Sequence, residues 1–415
     1  MKIAVLGSGG REHAIAWKFG TEIGSDNVFV LPGNGGTNNN IDMESNNFEL
    51  IKSFCSQNEI DLLFVGPETP LSAGITDYFR GSATRVFGPT RAAARLESSK
   101  IFAKCFMHTH GVRTADYWVC EVWDDANSIV EELGGEMVIK YDGLAGGKGV
   151  FVSFSMQEAR LDLETFAANF GYDCRFLIER KLNGYELSLI GITDGQSIKL
   201  FPPSQDHKQL LDGDKGPNTG GMGAYCPFPV SDGLMQQIME TIVTPTLQGL
   251  QRENLEYKGI IYFGIMVCAD GPYLLEYNAR FGDPETEVLL PAMQSSLTEA
   301  VLACLDGRLA AYEMVFNDRY WVDVVLAVEG YPRDYKTNLP IKIKQPLDPD
   351  TLVFHAGTML GTDGQILTTG GRVLNVVASG HSLNEAIERV YAECAKIEFE
   401  GIYYRRDIAQ RKKPI

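Results

Sequence analysis

Short apolar runs alternate with longer amphipathic stretches over the first hundred residues of the chain. Each run is followed at once by glycine or proline. The runs are Ile3–Leu6, Val28–Leu31, Leu62–Val65 and Val86–Phe87. This rhythm is typical of strands that alternate with helices around a parallel sheet. Because ligands of such sheets bind beyond the carboxyl ends of the strands, the glycine turns after these runs are candidates for a site.

The middle of the chain has a different rhythm, because glycine loops join one strand-like run directly to the next. A helix is predicted from Leu96 to His110. The strand-like runs that follow are Met137–Lys140, Val150–Phe154, Phe176–Lys181, Glu186–Ile190, Ile198–Phe201, Ile260–Cys268 and Tyr273–Asn278. Direct glycine connections favour antiparallel hairpins and an α+β domain.

The last part of the chain, from about residue 321, combines short strands with one helix. The predicted strands are Trp321–Val328, Leu352–His355, Gln365–Thr368 and Val373–Val377, and the helix runs from Ser382 to Ile397. The basic tail that begins at Arg405 is interpreted as a frayed, solvated terminus. These changes of pattern predict three parts, 1–100, 101–320 and 321–415.

Composition excludes several classes of protein. Hydrophobic residues make up 44% of the chain, which is enough for packed cores and excludes a mainly disordered chain. The net charge of −17 opposes binding to nucleic acid or to an anionic membrane. No apolar run is long enough to cross a bilayer, and the first residues do not form a signal peptide. Eight scattered cysteines without a C-x-x-C pair suggest neither a disulfide framework nor a zinc site, and favour a reduced compartment.

The first apolar run leads into Gly7–His13, which we call the first glycine turn. A glycine turn between a strand and a helix presents backbone N–H groups that suit phosphate. The dinucleotide pattern G-x-G-x-x-G fails here at Glu12, and no acidic residue ends the second strand. A second glycine loop, Pro32–Thr37, follows that strand instead. Two adjacent loops suit a compact phosphorylated ligand better than NAD, although one loop alone is equally consistent with a plain tight turn.

The stretch from Lys140 to Val150 contains four glycines between two predicted strands, so it is expected to form the tip of a hairpin. Glycines keep the tip mobile and allow the backbone to approach phosphate oxygens, while Lys140 and Lys148 supply positive charge. It is not a Walker A loop, because Asp142 and Gly149 occupy the positions that need glycine and Ser or Thr. A merely flexible hairpin is the alternative, which the two lysines disfavour.

Glu276, Asn278 and Arg280 alternate along a predicted strand and should therefore share one face, with Tyr277 facing the core. Carboxylate and amide oxygens are ligands that Mg²⁺ prefers. Arg280 beside them could hold an anion through two hydrogen bonds. A polar, solvent-facing strand edge is the default alternative, but the following glycine and the acidic Asp283–Glu285 favour the rim of a site.

A long polar, glycine-rich stretch runs from Gln205 to Tyr225, and loops of this length are usually functional or disordered. His207 has neither a nucleophile nor a second histidine nearby in sequence, so no Ser/His or Cys/His triad is predicted. Together the motifs indicate an enzyme that handles nucleotide phosphates with Mg²⁺. Such an enzyme would act by positioning and electrostatics rather than through a covalent intermediate on the protein.

The ordered set of motifs resembles the phosphoribosylamine–glycine ligase family of ATP-grasp enzymes, nearly end to end. Its most specific strings are Gly216–Tyr225 and Arg280–Thr286. The resemblance implies ligation of glycine to 5-phosphoribosylamine with ATP, through glycyl phosphate, in purine biosynthesis. It implies an α/β and α+β multidomain fold. A parallel αβ domain (1–100) would bind phosphoribosylamine, an ATP-grasp domain (101–320) would carry a mobile lid at about 115–190, and a small mixed α+β domain (321–415) would follow.

The resemblance also implies roles for individual residues around the nucleotide. Lys100 and Lys140 would contact the phosphates of ATP, the backbone of Glu179–Leu182 would line the adenine pocket, and Glu186 would bind the ribose hydroxyls. The hairpin 142–150 would close over the nucleotide and exclude water. The full set of implied ATP contacts is Lys100, Lys140, Gly146, Gly147, Lys148, Glu179, Arg180, Leu182 and Glu186.

Catalytic, metal and substrate roles follow in the same way. The implied catalytic residues are Arg280, Lys148, Asp206 and Lys208, and the implied ligands of Mg²⁺, or of Mn²⁺ in its place, are Glu276 and Asn278. Glycine and phosphoribosylamine would be held by Gly9, Gly10, Arg11, Glu12, Asn34, Gly36, Thr37, Asp212 and Arg280.

The implied partners are small molecules only: glycine, 5-phosphoribosylamine and ATP, with no nucleic acid and no membrane. A cytoplasmic monomer is expected, with a transient contact to the amidotransferase that supplies phosphoribosylamine. Two alternatives stay open. One is an ATP-grasp ligase that acts on another acid. The other is a non-catalytic nucleotide-binding relative, which would have lost Glu276, Asn278 or the lid lysine.

Overall fold

A four-stranded parallel sheet in the order β2–β1–β3–β4 forms the N-terminal part of the molecule. The computed structural model describes residues 1–121, 123–146 and 149–410. All four predicted strands are confirmed. The elements are β1 (Ile3–Gly7), α1 (Gly10–Ile23), β2 (Val28–Pro32), α2 (Phe48–Gln57), β3 (Leu62–Val65), α3 (Glu68–Ala73), α4 (Ile75–Tyr78) and β4 (Arg85–Phe87). Because the strands are parallel, both predicted glycine loops lie at the same edge of the sheet.

The helix predicted from Leu96 to His110 is wrong as one element. The structure has two helices, α5 (Arg91–Ser98) and α6 (Lys100–Thr109), which break at Ser99. The Ser99 hydroxyl accepts a hydrogen bond from the Phe102 amide at 3.1 Å and so caps α6. A serine cap favours a new helix start over continuation, and this signal was available in the sequence.

The predicted lid is built on an antiparallel sheet in the order β5–β8–β6–β7. Lys140 pairs with Val150 across β6 and β7, so the glycine-rich stretch forms the tip of a hairpin as predicted. The elements are β5 (Tyr117–Cys120), α7 (Trp123–Leu133), β6 (Glu136–Tyr141), β7 (Val150–Phe154), α8 (Met156–Phe170) and β8 (Phe176–Arg180). The lid sheet therefore ends before residue 184, short of the predicted end near 190.

The central sheet is antiparallel in the order β10–β9–β15–β16. The same part of the chain contains four further strands, of which β12 and β13 form a separate hairpin and β11 and β14 join another sheet, and four helices. The elements are β9 (Gly184–Thr193), β10 (Ile198–Leu200), β11 (Gln205–Asp206), β12 (Gln209–Leu211), β13 (Lys215–Asn218), β14 (Gly223–Cys226), α9 (Asp232–Ile238), α10 (Thr244–Arg252), β15 (Gly259–Cys268), β16 (Gly271–Asn278), α11 (Thr286–Ala292) and α12 (Leu297–Leu305). Tyr277 on β16 is 1% exposed, which confirms that it faces the core.

A six-stranded sheet crosses the boundary predicted near residue 320. Its order is β11–β14–β17–β22–β19, with β24 paired to β17. Strands β11 and β14 come from the polar stretch 205–225. The C-terminal elements are β17 (Tyr320–Val328), β18 (Lys342–Ile343), β19 (Leu352–His355), β20 (Thr358–Leu360), β21 (Ile366–Thr368), β22 (Arg372–Gly380), α13 (Leu383–Cys394), β23 (Ile397–Glu398) and β24 (Ile402–Tyr403). The polar stretch is thus anchored in a sheet at both ends.

The interpretation of the basic tail as a frayed terminus is wrong for its first part. The Arg405 side chain is 0% exposed and forms ion pairs with Asp214 at 3.0 Å and Asp407 at 2.8 Å. Its charge is held inside the fold by one carboxylate two positions away and by another 191 positions away in the chain. Residues 411–415 lie outside the described chain. In the described ranges, no helix is long and apolar enough to cross a membrane.

Three carboxyl groups meet beneath the first glycine turn, where α11 packs on β17 and β22. Glu287 and Asp323 are 0% exposed. Burial, and then the nearby carboxylate of Asp283, raise the pKa of both groups well above the ordinary values. A hypothetical Cβ on Gly10 would lie 2.6 Å from Glu287 Oε1, so this cluster sits directly against the start of α1.

Glu287→Gln is expected to stabilise the protein more at pH 8 than at pH 5.5. Because the raised pKa lets the folded state keep a proton that the unfolded chain releases, wild-type stability falls as the pH rises above the ordinary glutamate range. Glutamine removes this loss, and the unfolding midpoint should rise by about 2 °C or more at pH 8. Thermal unfolding at both pH values measures the effect, with the exposed Glu299→Gln as the control. An equal shift at both pH values would contradict the prediction.

Candidate active site

The carboxyl ends of β1 and β3 face the segment that follows β16. Arg11 donates from Nη1 to the Phe281 carbonyl oxygen at 3.2 Å. Arg280 lies 3.0 Å from Glu97 Oε1 and 3.5 Å from Glu68 Oε2. The structure therefore brings together Arg11 and Arg280, two candidates that lie 269 positions apart in the chain.

Glu12 closes the first glycine turn on itself. Its Oε2 accepts from the Gly9 amide at 2.7 Å and its Oε1 accepts from Arg11 Nε at 2.6 Å. A Cβ on Gly7 or Gly66 would lie 2.3 Å from the Glu12 side chain. The glutamate that breaks the dinucleotide pattern is thus packed among glycines, and its carboxylate holds the turn instead of pointing at a ligand.

Gly66→Ala is expected to destabilise the protein by about 2 kcal/mol, because the added methyl overlaps the buried Glu12 carboxylate and the Leu6 carbonyl oxygen. Displacement of Glu12 should also raise the KM of the ligand held by the turn. Denaturant unfolding and steady-state kinetics measure the two effects. Gly233→Ala is the matched control, since a Cβ there meets nothing within 4 Å on a helix. Equal stability of the two variants would contradict the clash.

Asn34 ties the second glycine loop to two other parts of the molecule. Its Nδ2 donates to the backbone carbonyl oxygens of Ser8 at 2.9 Å and His355 at 2.6 Å, while its Oδ1 accepts from the Gly36 backbone N–H at 3.0 Å. Thr37 Oγ1 accepts from the Asn34 amide at 2.8 Å. Since these side chains hold the loop in shape, a ligand would meet mainly its backbone.

A buried glutamate joins the lysines on the nucleotide side. Glu179 is 1% exposed, and its carboxylate lies 2.8 Å from Lys140 Nζ and 2.9 Å from Lys104 Nζ. Burial opposes the charge on Glu179, but the two lysines outweigh it and lower the pKa of this carboxyl. Sequence reasoning missed Lys104, although it lies one helical turn beyond Lys100 on α6. The Glu179 side chain therefore positions lysines. This role is separate from the implied contact of the Glu179 backbone with adenine.

The other residues of the implied adenine and ribose pocket lie between the end of β8 and the start of β9. Arg180 is exposed and lies 3.2 Å from Asp116, so its side chain points away from the buried lysines. Leu182 is half-buried in the connection. Glu186 on β9 lies 2.7 Å from Lys208 Nζ, which brings the implied ribose ligand together with an implied catalytic lysine.

Glu276 is surrounded by positive charge. Lys100 Nζ lies 3.8 Å from its Oε2. Burial alone would raise the pKa of Glu276, but the fields of Lys100, Lys208, Lys140 and Arg280 outweigh it and lower the pKa to about 2. Lys140, Lys208 and Arg280 are also paired with Glu179, Glu186 and Glu97, so the charges of the cluster largely balance. The array of cations around Glu276 suits the polyphosphate of a nucleotide.

Asn278 lies two residues further along the same strand and is 9% exposed. In the orientation of its side-chain amide that satisfies the neighbours, Nδ2 donates to Glu97 Oε1 at 3.1 Å and to the Tyr277 carbonyl oxygen at 3.2 Å. This orientation leaves Oδ1 for another partner. The pair offers two hard oxygen ligands on one face. Over the described ranges, no three Asp, Glu, His or Cys side chains form a cage for a metal, so a metal here would need further ligands from substrate and water.

The polar stretch places its candidates on different sides. Asp206 is 8% exposed, and burial, followed by the nearby Glu285, raises its pKa. Asp212 does not join this group, because its Oδ1 accepts from the Arg406 amide at 2.8 Å on the outer side of the loop. Of the two candidates, the structure brings only Asp206 close to Lys208.

The expectation that the acidic segment after Arg280 forms a rim is wrong for Glu285. This residue is 3% exposed, and its Oε1 accepts from Ser188 Oγ at 2.8 Å and from the Tyr262 hydroxyl at 3.1 Å. Asp283 pairs with Arg372 at 3.0 Å, and Arg372 also donates to the Gly220 oxygen at 2.7 Å. Arg372 was missed by sequence reasoning, although it directly follows a Gly-Gly pair in the last domain.

The base of the lid hairpin is tied to the start of α6. Asp142 Oδ1 accepts from Ser99 Oγ at 2.8 Å and from the Ile101 amide at 3.0 Å. Gly146 lies exposed at the tip, with a left-handed φ of 55° that favours glycine. The candidates Gly147 and Lys148 lie outside the described residues.

The combination of a parallel αβ domain, an antiparallel central sheet with a lid, and an antiparallel C-terminal sheet defines an ATP-grasp enzyme. The same fold occurs in the biotin carboxylase domain of Hydrogenobacter thermophilus 2-oxoglutarate carboxylase, with a TM-score of 0.73 and 13% identity over 97% of this chain and 91% of that one. Three family models match consecutive parts of the chain. They are the phosphoribosylglycinamide synthetase N domain (1–97), ATP-grasp (A) domain (98–286) and C domain (321–411).

Full-length relatives agree with these matches. The phosphoribosylamine–glycine ligase of Halalkalibacterium halodurans is 42% identical over 99% of this chain and 97% of its own length. The crystal structure of phosphoribosylamine–glycine ligase from Thermotoga maritima has a TM-score of 0.84 and 34% identity, and covers 98% of this chain and all of that one. The chain belongs to the phosphoribosylglycinamide synthetase family, which confirms the resemblance and the multidomain fold.

Proposed function

We propose that this protein is a carbon–nitrogen ligase that joins glycine to the amine of 5-phosphoribosylamine and converts ATP to ADP and phosphate. The observation that carries the proposal is the position of Glu276 and Asn278. They lie amid four cations, at the point where the ATP-grasp sheet faces the first glycine turn. The family's full-length relatives bear the name of this activity.

The reaction divides into two steps that need no nucleophile from the protein. A carboxylate oxygen of glycine attacks the γ-phosphorus of ATP, the bond to the β-phosphate oxygen breaks, and ADP leaves. The amine of phosphoribosylamine then attacks the acyl carbon of glycyl phosphate, phosphate leaves, and the nitrogen loses a proton. The protein has to orient three substrates, stabilise negative charge and exclude water from an acyl phosphate.

The nucleotide side of the site supplies the charge stabilisation. Lys100 and Lys140 contact the phosphates of ATP, and Arg280 stabilises the group in transfer. Glu179 keeps Lys140 in place from behind, and Lys104 pairs with the same carboxylate. Glu186 binds the ribose, and the backbone of Glu179–Leu182 lines the adenine. The lid hairpin, including Gly146, Gly147 and Lys148, covers the phosphates.

The acceptor side lies between the N-terminal loops and the polar stretch. The N–H group of Gly10 at the start of α1, with Arg11, holds the phosphate of phosphoribosylamine. Gly9 allows close approach of the backbone, while its own N–H donates to Glu12. The loop with Asn34, Gly36 and Thr37 holds its ribose. Asp206 and Lys208 position glycine or the ribosyl amine. Glu12 and Asp212 have supporting parts in this proposal, because both carboxylates already accept backbone hydrogen bonds.

Mg²⁺ fits the residues present. Glu276 and Asn278 would hold it through one carboxylate and one amide oxygen, with the ATP phosphates and water as the remaining ligands, the usual pattern for this ion. When bound, it would draw negative charge from the phosphates. The same oxygen ligands accept Mn²⁺.

We further propose that the enzyme works in the cytoplasm as a monomer. All eight cysteines are among the described residues and are unpaired, which suits a reducing compartment. A net charge of −17 opposes association between copies. Because phosphoribosylamine is short-lived, a transient contact with the amidotransferase that makes it would favour its transfer.

The test of the proposed function is ADP release with glycine and phosphoribosylamine generated in situ, leaving out each substrate in turn. Release that requires both substrates and a divalent metal supports the ligase. Release without either of them, or with a different acid only, would overturn the substrate assignment.

A further inference from the structure

The C-terminal segment 403–409, which we call the tail clamp, is bonded along the outer side of residues 207–214, which we call the acceptor loop. The two segments are separated by about 190 positions in the chain. Six hydrogen bonds join them: Tyr403 Oη to Leu210 O (2.9 Å), Arg405 Nη1 to Gln209 O (3.0 Å) and to Asp214 Oδ1 (3.0 Å), Arg406 N to Asp212 Oδ1 (2.8 Å), Gly213 N to Asp407 Oδ2 (2.8 Å), and Ala409 N to His207 Nε2 (3.2 Å).

Arg405 is the centre of the clamp. Its side chain is 0% exposed, which is rare for arginine and requires full pairing. Nε and Nη2 donate to the two carboxylate oxygens of Asp407 at 2.8 Å each, and Nη1 donates to Asp214. The planar fork of arginine matches this arrangement, whereas lysine could reproduce the charge but not the two parallel bonds.

The clamp and the candidate acceptor site lie on opposite sides of one stretch of chain. The His207 side chain faces the clamp, and the Gln209 backbone carbonyl accepts from Arg405, while Asp206 and Lys208 flank His207 in the chain. The His207 amide donates to the Gly223 oxygen at 2.9 Å, so the chain continues the direction of β11 here. Because successive side chains of an extended chain point to opposite sides, a clamp on one side determines where the other side chains lie.

Lys208 reaches the inner side of the loop. Its Nζ lies 2.7 Å from Glu186, and the field of Glu276 also acts on it. A shift of the acceptor loop would therefore move a lysine that the proposed function places beside glycine or the ribosyl amine. A displacement of about 1 Å at such a group can reduce turnover a hundredfold.

We propose that Arg405 is a positioning residue for the acceptor side of the reaction: by clamping the outer side of residues 207–214, it holds Asp206 and Lys208 at the substrates. The inference rests on the proposed function, and it assigns to the C-terminal segment a part in substrate binding that the nucleotide-side residues do not share. Loosening the clamp should weaken glycine or phosphoribosylamine binding more than ATP binding, which Lys208 affects only through Glu186 and Glu276.

The experiment compares the full-length wild type with Arg405→Met, Arg405→Lys and Asp214→Asn. Arg405→Met is expected to raise the KM of glycine, of phosphoribosylamine or of both about tenfold, and the KM of ATP by a clearly smaller factor. Lysine should recover part of the loss. Asp214→Asn, whose side chain is 35% exposed, breaks one ion pair without burying a new charge, and covers the case in which the methionine variant fails to fold.

Amide hydrogen exchange of residues 207–218 without ligands gives a readout that does not depend on activity, and should be faster in each variant. Arg389→Met is the matched control, because Arg389 forms a surface ion pair with Glu385 on α13, away from the loop. It should leave all three KM values and the exchange of residues 207–218 unchanged.

Two results would overturn the inference. One is faster exchange in the acceptor loop with wild-type KM values for both acceptor-side substrates. The other is an equal loss for all three substrates that follows the unfolding midpoint. If the wild type itself shows no glycine-dependent ADP release, the proposed function fails instead, and unchanged exchange in the variants would still reject the clamp.

Discussion

Glu276→Gln is expected to lower turnover about a thousandfold while the fold stays intact. The carboxylate is the charged member of the candidate metal pair, and its pKa of about 2 means that it is ionised at every pH of interest. Glutamine keeps the size of the side chain and removes the charge. Steady-state turnover with Mg²⁺ and far-ultraviolet circular dichroism measure the two parts of the prediction.

Nucleotide binding should separate this variant from a damaged one. Because Glu276 lies amid Lys100, Lys140, Lys208 and Arg280, its loss makes the site more positive, so ATP should bind at least as tightly in the absence of metal. Calorimetric titration of ATP in the presence of a chelator tests this. The exposed Glu299→Gln should behave as wild type. Near-normal turnover in Glu276→Gln would reject the metal assignment.

Glu179→Gln is expected to lower kcat/KM for ATP about a hundredfold and to destabilise the protein by about 3 kcal/mol. Lys104 and Lys140 both lie within 3 Å of this buried carboxylate. Without the negative charge, two buried ammonium groups face each other, and Lys140 is no longer held at the phosphates. Kinetics at varied ATP and denaturant unfolding measure the losses.

A second substitution tests the cause of that loss. Lys104→Met in the Glu179→Gln background removes one of the two buried cations, so the double variant should be more stable than Glu179→Gln alone. Burial lowers the pKa of Lys104 to about 8, the mark of an ammonium group that depends on its partner. If the two substitutions add independently, the lysines are not coupled through Glu179 and the interpretation is wrong.

Much of the fold was predictable because its signals are local. Strands such as β1 and β3 are short apolar runs that end at glycine or proline, and period-two alternation placed Tyr277 in the core and Glu276 with Asn278 on the other face. The single helix from Leu96 to His110 failed for a local reason too. Ser99 caps a second helix, and its hydroxyl also meets Asp142 of the lid, a contact that no local pattern reveals.

The roles of buried charges were the least predictable part of the site. Glu285 resembles a rim residue in sequence but lies buried against Ser188 and Tyr262. Arg405 resembles part of a solvated basic tail but is enclosed by Asp214 and Asp407. A charged residue is buried only beside partners, and Ser188, Tyr262 and Asp214 come from other parts of the chain. The residues next to Glu285 and Arg405 in sequence therefore carry little information about their environment.

The sequence by itself determined most of the order of the elements, the two glycine turns, the alternation of Glu276 and Asn278 along β16, and the family. These follow from residue spacing, since backbone conformation and strand period act over a few positions. The strand ends at Asn278, so Arg280 lies beyond the predicted alternation. Only the tertiary structure decided that Glu179 binds two lysines, that Lys208 meets Glu186, and that Arg405 clamps the acceptor loop, residues 207–214. Such pairings depend on which distant segments fold together, because a buried charge is stable only beside the partner that the whole fold delivers.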